Sequence, residues 1–249
     1  MSSVMPAPEL INVSSNLAAI KQQIQDCEVL FARKPHSVFL LAVSKGQSIA
    51  KIEQAILAGQ IAFGENHLQE ALPKITAFAE KKLEWHFIGL IQSNKIKKIA
   101  QHFNWVHSVT DMHIATQLNK QRPEHLPPLN ICLQVNVSQQ PNKAGVAILQ
   151  VAALADHCAA LPRLKLRGLM TIPTLRDTFT EQRAEFAKLS TLLNDLNERK
   201  FKLDTLSMGM SNDMKAAIAE GATIVRVGTA IFGARLGSID NSTMPGVMP

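Results

Sequence analysis

The feature of this sequence that most narrows its fold is a rhythm in which short β-branched runs alternate with longer stretches of helical period. Asn16–Arg33 reads as an opening helix, with Leu17, Ile20, Ile24 and Leu30 marking one apolar face. Ser37–Ser44 follows as a strand. Its Val, Phe and Leu side chains crowd together, as they do where both faces of a parallel sheet are covered. Further strands are expected at Gln60–Gly64, Glu84–Gly89, Trp105–Val109, Leu129–Val137, Lys165–Ile172, Asp204–Met208 and Thr223–Gly228. Helices are expected between them at Ser48–Ala58, His67–Lys81, Ser93–Phe103, Met112–Gln121, Val146–Leu161, Phe179–Glu198 and Asp213–Gly221. A brief Ala230–Ala234 helix closes the series.

Eight strands separated by helices form the pattern of a single (β/α)8 barrel, an α/β fold of ~250 residues. A doubly wound open sheet is the alternative. It calls for fewer strands and, for a nucleotide, a glycine-rich first turn, whereas the first strand here ends in Ser44-Lys45-Gly46-Gln47. The barrel is expected to occupy residues 1–236, and the Gly, Ser, Asn and Pro of 237–249 read as a frayed tail. Apart from the Pro-rich Arg122–Pro128 loop, no composition shift marks a second domain.

With 46% apolar and 18% charged residues, the chain is too apolar and too sparsely charged for global disorder. Its longest apolar run, Val38–Val43, is far short of the ~20 residues of a membrane helix. Met1–Glu9 lacks a basic segment leading into an apolar one, so a cytoplasmic location is expected. Cys27, Cys132 and Cys158 have neither disulfide nor zinc spacing and read as small buried hydrophobes. The net charge of +6 invites the thought of nucleic acid. Yet only Lys95, Lys97 and Lys98 cluster, without aromatic interleaving, which suits a solvated helix face.

Barrel sites lie at the carboxyl ends of the strands, so the residues standing there are the informative ones. They are Lys45, Glu65-Asn66, Gln92-Ser93-Asn94, Ser108, Asn136 with Lys143, Met170-Thr171, Ser207 to Ser211, and Arg226 to Thr229. The strand amino ends show nothing comparable. Ser211 and Gly228-Thr229 each stand just before a helix, where unpaired N–H groups and hydroxyls offer donors to an anion. Loops seven and eight are also where barrels commonly hold phosphate. Plain helix capping is the alternative for each residue singly.

Alternation along the first strand puts Leu41, Val43 and Lys45 on one face. If that face lines the barrel, the amine is desolvated, its pKa falls, and it becomes a nucleophile for an aldehyde. The alternative is a lysine that snorkels to water. Arg226 shares a face with Ile224 and Gly228, and a guanidinium inside a barrel requires an acceptor. A buried carboxylate would serve, and so would a pyridine nitrogen. A lysine for an aldehyde, an arginine for a ring nitrogen and two helix starts for a phosphate together describe pyridoxal 5′-phosphate.

The motifs Ala42-Val43-Ser44-Lys45, Phe63-Gly64-Glu65-Asn66, Trp85-His86-Phe87-Ile88-Gly89 and Gln92-Ser93-Asn94-Lys95 resemble the pyridoxal phosphate homeostasis proteins, also called the proline-synthase-co-transcribed family. So do Leu166-Arg167-Gly168-Leu169-Met170, Ser207 to Met214 and Val225 to Gly233. The resemblance runs from about Ala18 to Arg235. It implies a barrel like the amino-terminal domain of alanine racemases, with pyridoxal phosphate in Schiff-base linkage to Lys45. It implies further that Ser211, Gly228 and Thr229 hold the phosphate, that Arg226 holds the ring nitrogen, and that Asn66, His86, Met170 and Ser207 surround the ring. His86, within a strand beside Trp85 and Phe87, also fits a hydrogen-bonded core residue. Gly46 stands where relatives often have Thr.

The family is regarded as handling the cofactor rather than catalysing. It is implicated in balancing vitamin B6 vitamers, with transient apo-enzyme acceptors as partners. The alternative is a racemase-like enzyme, which needs a base on each face of the substrate carbon. The resembled racemases take the second from a Tyr, and this chain has none. The racemase dimer rests on a second domain, so a monomer is expected.

Overall fold

The computed structural model describes residues 12–234. Eight strands close into an all-parallel barrel in sequence order: β1 (Phe39–Val43), β2 (Ala62–Glu65), β3 (Glu84–Phe87), β4 (Trp105–Val109), β5 (Leu129–Gln134), β6 (Leu164–Met170), β7 (Thr205–Ser207) and β8 (Ile224–Val227). The ring is sealed where β1 pairs with β8, with Leu41 opposite Arg226 and Ala42 opposite Val227. The expected (β/α)8 architecture is the one observed.

The helices are α1 (Val13–Leu30), α2 (Ile49–Leu57), α3 (Leu68–Ala77), α4 (Ile96–His102), α5 (Met112–Gln121), α6 (Val151–Ala159), α7 (Phe179–Glu198), α8 (Met214–Ala219) and α9 (Thr229–Phe232). α1 starts earlier than its apolar period suggests, because the Asn12 side chain accepts from the Ser15 N–H and caps it. β5 ends at Gln134 rather than Val137, since Val135 leaves to bridge Val146 and the Asn136 N–H donates to the Val146 carbonyl. α6 is shorter than expected at its amino end, where Ile148–Gln150 forms a 3-10 turn. Elements with strong caps, such as α7 with its Thr178 and Glu181 capping box, fall where the sequence places them.

Strand alternation divides the apolar residues into two sets. Leu40, Ala42, Phe63, Phe87, Val106, Ile131, Leu169 and Val225 face outward and pack with the helices into the main core. Leu41, Ala62 and Ile224, with Ile88, fill one part of the barrel interior, and Trp105, Cys132 and Met170 another. Each of these outward side chains is largely withdrawn from water, and burial of that kind contributes about 25 cal/mol per Å². Inside, the same alternation places His86, His107, Ser207 and Arg226 among the apolar residues, all fully or almost fully buried.

Candidate functional site

At the carboxyl mouth lies a cavity of about 390 Å³, lined by Lys45, Asn66, Ser211, Arg226, Gly228 and Thr229 and walled by Val43, Ile88, Ile172 and Leu175. Six of the nine residues singled out from the sequence therefore meet in one concavity. Strands one, two, seven and eight bring them together, because the β1 and β8 seam closes beside β2 and β7.

Lys45 is half-buried and follows β1, one step beyond Val43 on the inward face. Its two neighbours are both held. Ser44 points outward and donates to Glu65 Oε1 at 2.6 Å, while Lys74 of α3 donates to the same oxygen at 2.7 Å and to the Ser44 carbonyl at 2.7 Å. On the other side the Gly46 N–H donates to Glu70 at 2.8 Å, in a left-handed conformation (φ 68°) that a glycine adopts without strain. Burial pushes the Glu65 carboxyl above its usual range, against the opposing pull of the Lys74 charge and of hydrogen bonds from Lys74 and Ser44. Glu65, which the sequence places at the site, thus faces away from the cavity and braces the strand that carries Lys45. The sequence signals its pairing with Lys74, nine residues on, only through a lysine placed on the apolar face of α3.

Arg226 is 4% exposed and lines the cavity floor. One terminal nitrogen donates to the Ser207 carbonyl at 2.6 Å and to the Ser207 hydroxyl at 2.9 Å; the other donates to the Thr171 carbonyl at 2.9 Å. A guanidinium has five N–H donors, so two have no acceptor among the described residues. Burial lowers its pKa to about 10, with Asp213 and Cys132 acting in the opposite sense, so it is a cation at neutral pH. No carboxylate pairs directly with it among the described residues.

The turns before α8 and α9 present backbone donors. The N–H groups of Ser211, Asn212, Gly228 and Thr229 make no hydrogen bond within the described residues, and the Ser211 and Thr229 side chains are exposed at the rim. Asp213 accepts from the Met210 N–H at 2.6 Å and so fixes the first of these turns. Burial raises the Asp213 pKa, with the Met210 hydrogen bond and the Arg226 charge pulling against it. With six and four residues, α8 and α9 are short, so the local N–H groups matter more than a summed helix dipole. Gly228 is needed for packing. A Cβ there would lie 2.9 Å from the Val43 carbonyl oxygen and 3.2 Å from the Val43 Cβ, across the β1 and β8 seam.

Asn66 adds one more feature. Its Oδ1 is buried at the cavity wall and has no hydrogen-bond partner among the described residues, so a donor is wanted there.

The remaining three residues do not line the cavity. Met170 packs in the interior against Trp105 and Cys132. Ser207 lies beneath Arg226, and His86 lies deeper still, with its Nδ1 2.9 Å from His107 Nε2. Asn136 and Lys143 also stand apart, lining a separate cavity of about 350 Å³ beside the β5 to α6 connection. The expectation that strand amino ends carry nothing comparable is corrected. A cavity of about 270 Å³ at that mouth is lined by Glu84, His86, Trp105, Arg167 and Asp204. These residues sit inside or beside strands whose inward face only the closed barrel reveals.

Residues 12–236 match the family model described as the alanine racemase N-terminal domain. The chain is 52% identical over 223 residues to the pyridoxal phosphate homeostasis protein of Pseudomonas aeruginosa, covering 90% of this chain and 96% of the relative. The structure of PipY from Synechococcus elongatus, solved with PLP bound, matches with a TM-score of 0.79 at 38% identity, covering 89% of this chain and 100% of that one. The alanine racemase of Corynebacterium glutamicum shares the fold, with a TM-score of 0.66 at 13% identity, over 93% of this chain and 64% of that one. On the extent of these matches, the chain belongs to the pyridoxal phosphate homeostasis family of alanine-racemase-like (β/α)8 barrels.

Proposed function

We propose that the protein binds pyridoxal 5′-phosphate at the carboxyl mouth and takes part in intracellular vitamin B6 homeostasis, holding the cofactor covalently through Lys45. The observation that carries this reading is the donor set gathered in one cavity. It comprises an amine from Lys45 and, unpaired among the described residues, two N–H groups of Arg226 and four backbone N–H groups in the turns at 211–212 and 228–229. An aldehyde, a ring nitrogen and a phosphate are the acceptors that such a set fits, and the orphaned Asn66 Oδ1 fits a ring hydroxyl. When bound, pyridoxal phosphate supplies an electrophilic aldehyde that a primary amine takes up reversibly.

The chain's own residues do the rest. The Ser44, Glu65 and Lys74 cluster fixes the end of β1, so that Lys45 enters the cavity in one orientation. Arg226 would hold the ring nitrogen of the bound cofactor, and Ser211, Gly228 and Thr229 would hold its phosphate. Ile88, Ile172 and Leu175 limit the access of water. Met170, Ser207 and His86, which lie in the barrel interior behind the cavity lining, would support the site from within.

We read this as a carrier rather than a racemase. Arg226 keeps its charge at neutral pH, so it donates a hydrogen bond to a ring nitrogen without releasing the proton to it, and the 249 residues contain no Tyr to act as a second base. It acts as a cytoplasmic monomer, takes related vitamers at the same cavity, and passes its cargo to apo-enzymes. Purified protein incubated with pyridoxal phosphate should turn yellow, and borohydride reduction followed by peptide mass spectrometry should place the cofactor mass on Lys45. Lys45→Ala should stay colourless. A colourless wild-type protein at saturating cofactor would overturn the reading, and exchange of amino-acid α-protons with solvent above the rate of free cofactor would favour the racemase alternative.

A further inference from the structure

The interior of the barrel holds a polar chain that the cavity itself does not account for. It starts at Arg226, whose guanidinium donates to the Ser207 hydroxyl at 2.9 Å. The Ser207 Oγ lies 2.7 Å from His107 Nδ1, and His107 Nε2 lies 2.9 Å from His86 Nδ1. His86 Nε2 has Glu84 as its nearest partner, at 3.4 Å, a contact of ion-pair range rather than a closed hydrogen bond. The four links cross the barrel from the carboxyl cavity to the amino mouth, where the Glu84 side chain is 49% exposed. Ser207, His107, His86 and Arg226 are all buried.

The two ends of this chain are chemically fixed. Arginine offers only donors, and an ionised carboxylate offers only acceptors. A neutral imidazole offers one of each, so a single assignment satisfies every link. The Ser207 hydroxyl donates to His107 Nδ1, His107 Nε2–H donates to His86 Nδ1, and His86 Nε2–H points at Glu84. Reversing the direction would leave the Ser207 proton without an acceptor and would set the bare Nε2 of His86 against the Glu84 carboxylate. Protonating His86 would set its Nδ1–H against the His107 Nε2–H, and protonating His107 would leave the Ser207 proton without an acceptor.

The charged groups around the chain are Glu84 on β3, Arg167 on β6, Asp204 before β7 and Arg226 on β8; the Cys132 thiol of β5 is the remaining titratable neighbour. Arg167 and Asp204 are already paired, with contacts of 2.8 to 3.2 Å. Burial depresses the basicity of both histidines, helped at His107 by its neighbours His86 and Arg226 and opposed at His86 by Glu84. Burial therefore favours the neutral form of both.

We propose that His86, His107 and Ser207, with the Glu84 carboxylate facing the open end, form a one-directional hydrogen-bond chain that holds the Arg226 guanidinium in place beneath the cavity. Ser207 and His107 are thereby positioning residues for the cofactor ring. This role rests on the cofactor reading above; the direction of the chain does not. Ser207 spends its one proton on His107, so its oxygen stays an acceptor for Arg226 and turns the two spare N–H groups toward the cavity.

Nitrogen NMR of the full chain labelled at histidine tests the direction. Two of the eight histidines should be neutral Nε2–H tautomers and should take up a proton only at a lower pH than an ordinary imidazole. Ser207→Ala should shift both signals. In the same protein, Ser207→Ala should weaken pyridoxal phosphate binding by about tenfold or more, and Ser207→Thr, which keeps the hydroxyl, should restore it. His107→Gln provides a second break if Ser207→Ala fails to fold. Nδ1–H tautomers, ordinary titration of all eight histidines, or unchanged cofactor affinity in both breaking variants would overturn the proposal. A wild-type protein that binds no pyridoxal phosphate, yet shows both locked tautomers, would remove the cofactor reading and leave the chain standing.

Discussion

Lys74 donates to Glu65 at 2.7 Å in an ion pair whose side chains are 8% and 0% exposed, directly behind the residue that precedes Lys45. Neither member reaches the cavity, yet both touch Ser44, Lys74 through its carbonyl and Glu65 through its hydroxyl. The pair thus ties α3 to the end of β1. One Glu65 oxygen, Oε2, is left without a partner among the described residues.

Breaking this pair from one side leaves an uncompensated buried charge. Lys74→Met is expected to destabilise the protein by about 3–5 kcal/mol, and the double change with Glu65→Leu by less than the sum of the two single changes. Urea unfolding of the four proteins completes the cycle. Additive losses would show that the pair is not coupled.

At the barrel seam, Gly228→Ala forces a Cβ to within 2.9 Å of the Val43 carbonyl oxygen. A destabilisation of about 1–3 kcal/mol is expected, together with weaker retention of pyridoxal phosphate, because the same shift moves the 228–229 N–H groups. Thermal melts with and without cofactor measure both. An unchanged melting temperature would mean that the seam yields freely.

Arg226→Lys removes a fork that meets two residues from two nitrogens, at 2.6 to 2.9 Å. An ammonium has three donors at one point and cannot reach the same three acceptors. The variant should lose about 2–4 kcal/mol of stability and bind cofactor at least about tenfold more weakly by spectral titration. Wild-type affinity in this variant would separate the guanidinium from ring recognition.

The buried histidines set a pH dependence with a definite sign. In the folded protein His86 and His107 have lowered pKa values, caused chiefly by burial, so below about pH 6.5 the unfolded chain takes up their protons first. Their contribution to stability is fully present above about pH 6.5. It falls as the pH drops toward the folded-state values, by up to about 1.4 kcal/mol per pH unit for each histidine. The urea midpoint should therefore drop between about pH 7.5 and about pH 5.5, and less so in His107→Leu. Identical midpoints in the wild-type protein would contradict the neutral assignment.

The two periods in the sequence, 2 for strands and about 3.6 for helices, sufficed to specify a closed barrel and to put Lys45 and Arg226 on inward faces, because alternation is a property of the backbone itself. They also located the turns at Ser211 and Gly228, since glycine, serine and aspartate before short apolar runs carry local signals of a helix start. What stood in the second layer was not legible. His107 and Ser207 are 100 positions apart, and Glu65 faces Lys74 only because α3 folds back over β2. The role of Gly228 was legible only in part, since Val43, its steric constraint, lies across the seam on the first strand. Local sequence decided which side chains point inward. The closure of the ring decided which of them meet, because contact between distant strands depends on register and shear that no short stretch of chain encodes.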